Sequence, residues 1–239
     1  MIVLPLPYTP FKSSEVKHRP VRTMPRLVPY ITRREGEESA PDDLVFVQSG
    51  PHPARLHYRW ETERDRDLRG VLWARCSQTP PDRRGMPTGQ PRWRLVHPAR
   101  QRYAMRHMLC QVCVRPARTP LGYIFLEGPQ ELRSEDDLVL TAQPPVCAKH
   151  VVSAARLCPH LDGRPLVYLT QASPLYGVHG TVYDHGDEGV FVKALPKTAL
   201  PYGSDVLRNV LASKLVRRLK TFQLITLEEL MRALDAAAA

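Results

Sequence analysis

Two short pairs of residues in this chain have the types and spacing for metal chemistry. Cys110-Gln111-Val112-Cys113 sets two thiols two residues apart, the separation with which a tight turn grips one ion. Cys147-Ala148-Lys149-His150 supplies a second pair at positions i and i+3, which share a face at the start of a predicted helix. Three sulfurs and one imidazole form a full tetrahedral donor set for zinc. Catalytic zinc keeps one position open for water, so four protein ligands predict a closed, structural site. One rival set exchanges His150 for Cys158 or His160, both just beyond the same helix. Otherwise Cys158 and Cys76 read as structural thiols.

Enzymatic signatures are hard to find around these pairs. A zinc deaminase needs His-x-Glu upstream of its cysteines, and the sequence contains none. His-Asn-His nucleases carry a histidine between the two ligand pairs, but no histidine lies between Cys113 and Cys147. Neither a glycine-rich phosphate loop nor a Gly-x-Ser-x-Gly elbow is present. His97, His107, His179, His185 and Asp187 are candidate reactive groups for an enzyme of specialised metabolism or phage defence, scattered without a known spacing.

Charge points elsewhere. The formal net charge is +10, and nine arginines with no acidic residue lie between Arg83 and Arg118. Arg92, Trp93, Arg94, Arg100, Arg102 and Arg106 fall in that run, and Tyr103 joins Trp93 as an aromatic for base stacking. Such a set predicts binding to nucleic acid, with DNA the first candidate. Arg208, Lys214, Arg217, Arg218 and Lys220 form a second basic group. A protein-interaction or assembly platform is the alternative partner class. No run of 18 apolar residues spans a membrane, and Met1–Pro7 is too short and proline-broken for a signal peptide, so a cytoplasmic setting is expected.

The elements that must position these residues follow from pattern. Residues 1–40, with six prolines and seven Lys/Arg, read as an extended basic arm. In 41–91, alternation predicts strands at Leu44–Gln48, Ala54–Trp60 and Gly70–Arg75, the last two joined by a charged loop. In 92–162, the zinc module, His97 caps a helix that begins at Pro98 and runs to about Leu109, feeding the first cysteine pair. Strands at 122–127 and 138–142 follow, joined by an acidic turn, and then a helix from about Val146 to Leu157. In 163–239, strands are predicted at Leu166–Thr170, Gly180–Tyr183 and Gly189–Val192, with a turn at Asp184–Asp187. Val206, Leu207, Val210, Leu211, Leu215 and Leu219 have helical spacing, and Thr226-x-x-Glu229 is a capping box for a final helix through Leu234.

The stretch Trp93 to His97, Pro98, Arg100, Gln101, then Leu109 to Cys113, then Pro144 to Cys147, resembles a family of actinobacterial, streptomycete-type proteins. The resemblance implies zinc binding and carries no assigned activity. Its members hold Cys-x-x-Cys where this chain has Cys147-x-x-His150. Knuckle, hairpin and ligand-bearing helix together predict an α+β fold: a treble-clef-like zinc module with small antiparallel sheets and C-terminal helices.

Overall fold

The computed structural model describes residues 27–40, 43–128, 138–158, 161 and 165–238. Most of residues 1–40, the acidic turn at 131–137 and His160 lie outside the described residues. Strands dominate, with 41% strand against 19% helix, and eight strands share one sheet. The predicted treble-clef architecture with small sheets is therefore not the fold.

The reason lies in two places. Strands β6 (Tyr123–Glu127) and β7 (Val139–Thr141) form where expected, between the two ligand pairs, yet they do not pair with each other. Their partners are β8 (Leu166–Ala172) and β12 (Val210–Ile225), antiparallel in each case. The hairpin of a treble clef is thus opened out, and its two strands are absorbed into the large sheet. The second place is β12 itself, a 16-residue strand where a helix was expected. Only Asp205–Asn209 is helical, as a 3-10 segment.

β12 is the spine of the sheet. One side pairs with β9 (Leu175–Gly186) along its first half and with β8 along its second. The other side takes β4 (Leu72–Trp73), in parallel, and then β7. β10 (Gly189–Ala194) and β11 (Leu200–Pro201) flank β9. On that second side, between β4 and β7, no strand lies against Leu215, whose register partner Val178 is on the β9 side. The Gln101 side chain fills the gap: its Nε2 donates to Leu215 O at 2.9 Å and to Ala142 O at 2.7 Å, and its Oε1 accepts from Leu215 N at 2.8 Å. A buried amide with every role filled substitutes here for a missing strand.

Gln101 belongs to α1 (Pro98–Arg106), which begins with His97 as N-cap and Pro98 in the first position. Its C-terminal carbonyls, which no helical amide reaches, are taken by a residue of β12. Arg217 donates to Met105 O at 2.9 Å, to Arg106 O at 3.1 Å and also to Ser173 O. Two small ladders complete the β-structure. β1 (Thr32–Arg34) pairs with β5 (Pro91–Val96), and β2 (Leu44–Val47) pairs with β3 (Arg55–Tyr58). β4 leaves this neighbourhood for β12 instead of extending the β2–β3 hairpin. Backbone pairing therefore crosses each of the predicted segment boundaries.

Helix α2 (Ala148–Leu157) starts at its N-cap Cys147. The final helix, α3 (Leu227–Ala238), starts with the predicted capping box: Thr226 N and Oγ1 donate to the Glu229 carboxylate, and Glu229 N donates back to Thr226 Oγ1. One apolar cluster joins these parts, with Cys110, Val112 and Ile124 packed among Val151, Ala155, Val167, Leu230 and Leu234. No helix among the described residues is long and apolar enough to cross a membrane.

Candidate functional site

The ligand atoms of Cys110, Cys113, Cys147 and His150 lie within 4.8 Å of one another, and no other group of three or more potential ligands forms among the described residues. Cys113 Sγ and Cys147 Sγ are 4.0 Å apart, and Cys147 Sγ lies 3.2 Å from His150 Nδ1. These four residues can hold one metal ion. The first pair sits at a narrow turn closed by Val114 N to Cys110 O at 2.9 Å and Cys110 N to Arg115 O at 2.8 Å. The second pair is fixed to the first by Gln111 N to Pro145 O at 2.9 Å and to β6 by Val146 N to Ile124 O at 2.8 Å. Val114 pays for the turn with φ 54°, a left-handed conformation that a β-branched residue rarely adopts.

Backbone amides surround the sulfurs. The amides of Val112, Cys113 and Cys147 act on Cys110 Sγ, that of Arg115 on Cys113 Sγ, and that of His150 on Cys147 Sγ, each favouring the charged form. Such donors favour thiolates, the form that binds metal. Without an ion the cluster shares protons unevenly. A hydrogen bond from Cys110 holds the Cys147 thiol below its ordinary range, while that same interaction and then burial push Cys110 up. Burial also raises Cys113. Cys158, the C-cap of α2, is not among the clustered ligands.

The predicted nucleic-acid residues divide sharply. Arg100 is buried, not exposed: its Nη1 and Nη2 bind the Glu37 carboxylate at 2.6 and 2.7 Å, and Nη2 also reaches Thr32 O at 2.9 Å. Its positive charge is matched inside the protein and is not presented to a polyanion. Arg217 is likewise committed to α1. Arg102 is half-buried over the Trp73 ring at 4.8 Å. Arg92 pairs with Glu38 at 2.9 Å on the surface, and Arg94 and Arg106 are exposed. His97 is fully buried, with Nε2 3.1 Å from Ser77 O and its basicity lowered by burial. The motif Trp93–Gln101 is thus largely architectural. Of the scattered enzyme candidates, His107 is exposed beside Tyr103, His185 stacks on Phe46 at 4.4 Å, and Asp187 is exposed in the turn after β9.

Three sequence-predicted residues do converge. Trp93 and Arg94 of β5 and Lys214 of β12 line a cleft of about 490 Å³, together with Gln111 of the metal turn, Gln143 and Leu157. Leu95 and Leu157, both more than two-fifths exposed, give it apolar walls. Glu127 is the one acid among its described lining residues, and it accepts a hydrogen bond from the Thr141 hydroxyl. Gln111, Gln143 and Leu157 carry no sequence signal of their own and are found only through the fold.

No protein-family model matches the chain, and no curated protein or solved structure matches it at a significant level.

Proposed function

We propose that this chain is a zinc-stabilised, cytoplasmic nucleic-acid-binding protein that takes a single-stranded segment of DNA in the cleft beside its metal centre. The observation that carries it is the meeting of Trp93, Arg94 and Lys214, from distant parts of the sequence, with the amides of Gln111 and Gln143 in one cleft. An indole offers a stacking face to any base, side-chain amides match base edges, and two cations match flanking phosphates. A duplex keeps its bases stacked and paired, so a cleft of this kind favours an unpaired strand.

Zinc suits the centre because three sulfurs and one nitrogen are its preferred donors, and ideal thiolates about 2.3 Å from the ion lie roughly 3.8 Å apart. The 4.0 Å between Cys113 and Cys147 sulfurs is close to that spacing. All four positions are filled from the protein, so the ion here holds the fold and the walls of the cleft, with no open site for chemistry. The resemblance to the actinobacterial zinc proteins fits this assignment.

Titration of labelled single-stranded DNA, duplex DNA and RNA at several salt concentrations tests the proposal. Single strands should bind most tightly, with affinity falling as salt rises. Trp93→Ala should weaken binding by about 1–3 kcal/mol for one stacked base, and Lys214→Gln should flatten the salt dependence. No binding at low salt by the zinc-loaded protein would end the idea; selective capture of protein partners would favour an assembly platform.

A further inference from the structure

A second concavity lies on the Ala99–Arg102 face of α1 and shares no lining residue with the cleft. It is a notch of about 160 Å³ walled by Arg64, Asp65, Trp73, Arg75, Cys76 and Arg102. Three guanidiniums face one carboxylate. Asp65 is committed elsewhere: its Oδ1 accepts from Arg75 Nε at 2.8 Å, and its Oδ2 from Arg75 Nη2 at 2.6 Å and from Thr62 N and Oγ1 at 2.7 and 2.8 Å.

Arg102 is therefore under-served. Its guanidinium lies over the Trp73 ring, and its Nη1 is buried with no hydrogen-bond partner. Asp67, the carboxylate whose field acts most on it, is occupied by the Trp73 indole at 3.2 Å and the Tyr202 hydroxyl at 2.9 Å through Oδ2. Its Oδ1 accepts from the amides of Arg69 and Val71. Arg64 is exposed at the notch and takes part in no ion pair among the described residues. Neither Arg102 nor Arg64 has a carboxylate paired with it among the described residues, so the notch carries positive charge that an anion from solvent can match. Planar guanidiniums pair best with a multiply charged oxyanion whose oxygens diverge to several donors.

We infer that this notch binds a phosphate group, either the free ion or the monoester of a nucleotide. Arg102, which lines the notch, is its inner cation and Arg64 its outer one, with Arg75 oriented by Asp65 and by the Tyr58 ring 4.0 Å away. The assignment stands apart from nucleic-acid binding in the cleft.

Calorimetric titration of the zinc-loaded protein with sodium phosphate, at ionic strength held constant with chloride, tests it. Saturable binding is expected, weakened about tenfold by Arg102→Lys, which keeps the charge but loses the fork, and measurably by Arg64→Gln on the surface. Circular dichroism checks that both variants stay folded, and Arg64→Gln alone decides if Arg102→Lys does not. Adenosine 5′-monophosphate and adenosine form the second arm. Tighter binding of the monophosphate than of phosphate, with none for adenosine, assigns an ester; equal binding of monophosphate and phosphate assigns the free ion. Trp93→Ala and Lys214→Gln should leave phosphate binding unchanged, which keeps this test separate from that of the cleft. Absence of saturable heat, or binding untouched by Arg64→Gln, overturns the inference.

Discussion

Glu37 and Arg100, 63 residues apart, form a bidentate ion pair with both side chains almost wholly removed from water. Removing one partner leaves the other charge uncompensated, so Glu37→Gln should destabilise the protein by about 3–5 kcal/mol in urea unfolding. The Arg100 hydrogen bonds and the Arg34 amide outweigh burial and hold the Glu37 carboxyl at about 2, below its ordinary 4.5. A depressed folded value means that the stabilisation is complete above about 4.5 and is lost as pH falls from there toward 2. Acid unfolding of Glu37→Gln should accordingly be shallower over that window than wild type. The four residues that can hold a metal were legible in sequence because their spacing is local chemistry. Arg100 was misread as a phosphate contact because nothing near it announces its acid, which lies in a segment that otherwise reads as a basic arm.

At the scale of elements, the helices with end signals were readable: Pro98 after His97, and Thr226 with Glu229, each set a start that the fold keeps. β12 was not. Val210, Leu211, Leu215 and Leu219 suit a helical stripe, but Ala212 and Val216 are buried as well. A strand covered on both faces loses the alternation that identifies strands, and its apolar run then mimics a helix. What the sequence does carry is the close approach of β9 to β12. A Cβ on Gly180 would stand 2.5 Å from Leu211 O and 2.9 Å from the Ala212 Cα, both backbone atoms of the neighbouring strand. Gly180→Ala should therefore cost about 1–3 kcal/mol by forcing the ladder apart. Denaturant midpoints of the two proteins check this, and an unchanged midpoint would mean that the strands are less tightly apposed.

Over the whole molecule, the candidate metal centre is no appendage. Cys110 and Val112 share an apolar cluster with Val167 of β8 and with Leu230 and Leu234 of α3. Loss of a bound ion should unfold residues around 98–160, and the packing extends the expected loss to the C-terminal helix. Hydrogen exchange after metal removal by a strong chelator should show α3 losing protection together with α2, while the β2–β3 hairpin, packed in a separate cluster, keeps more of its own. Equal protection of α3 with and without metal would uncouple the two. The sheet also has an order of assembly built into it. β4 and β7 find their sheet partner, and β8 and β9 their second one, only in β12, which leaves the ribosome after every one of them, whereas the four clustered residues are complete by His150. During synthesis the nascent chain thus carries several unsatisfied strand edges for as long as β12 is still unmade, and an ion captured early by the cysteines would join the β1–β5 ladder and the Glu37–Arg100 pair as ties that hold it back from its neighbours on the polysome.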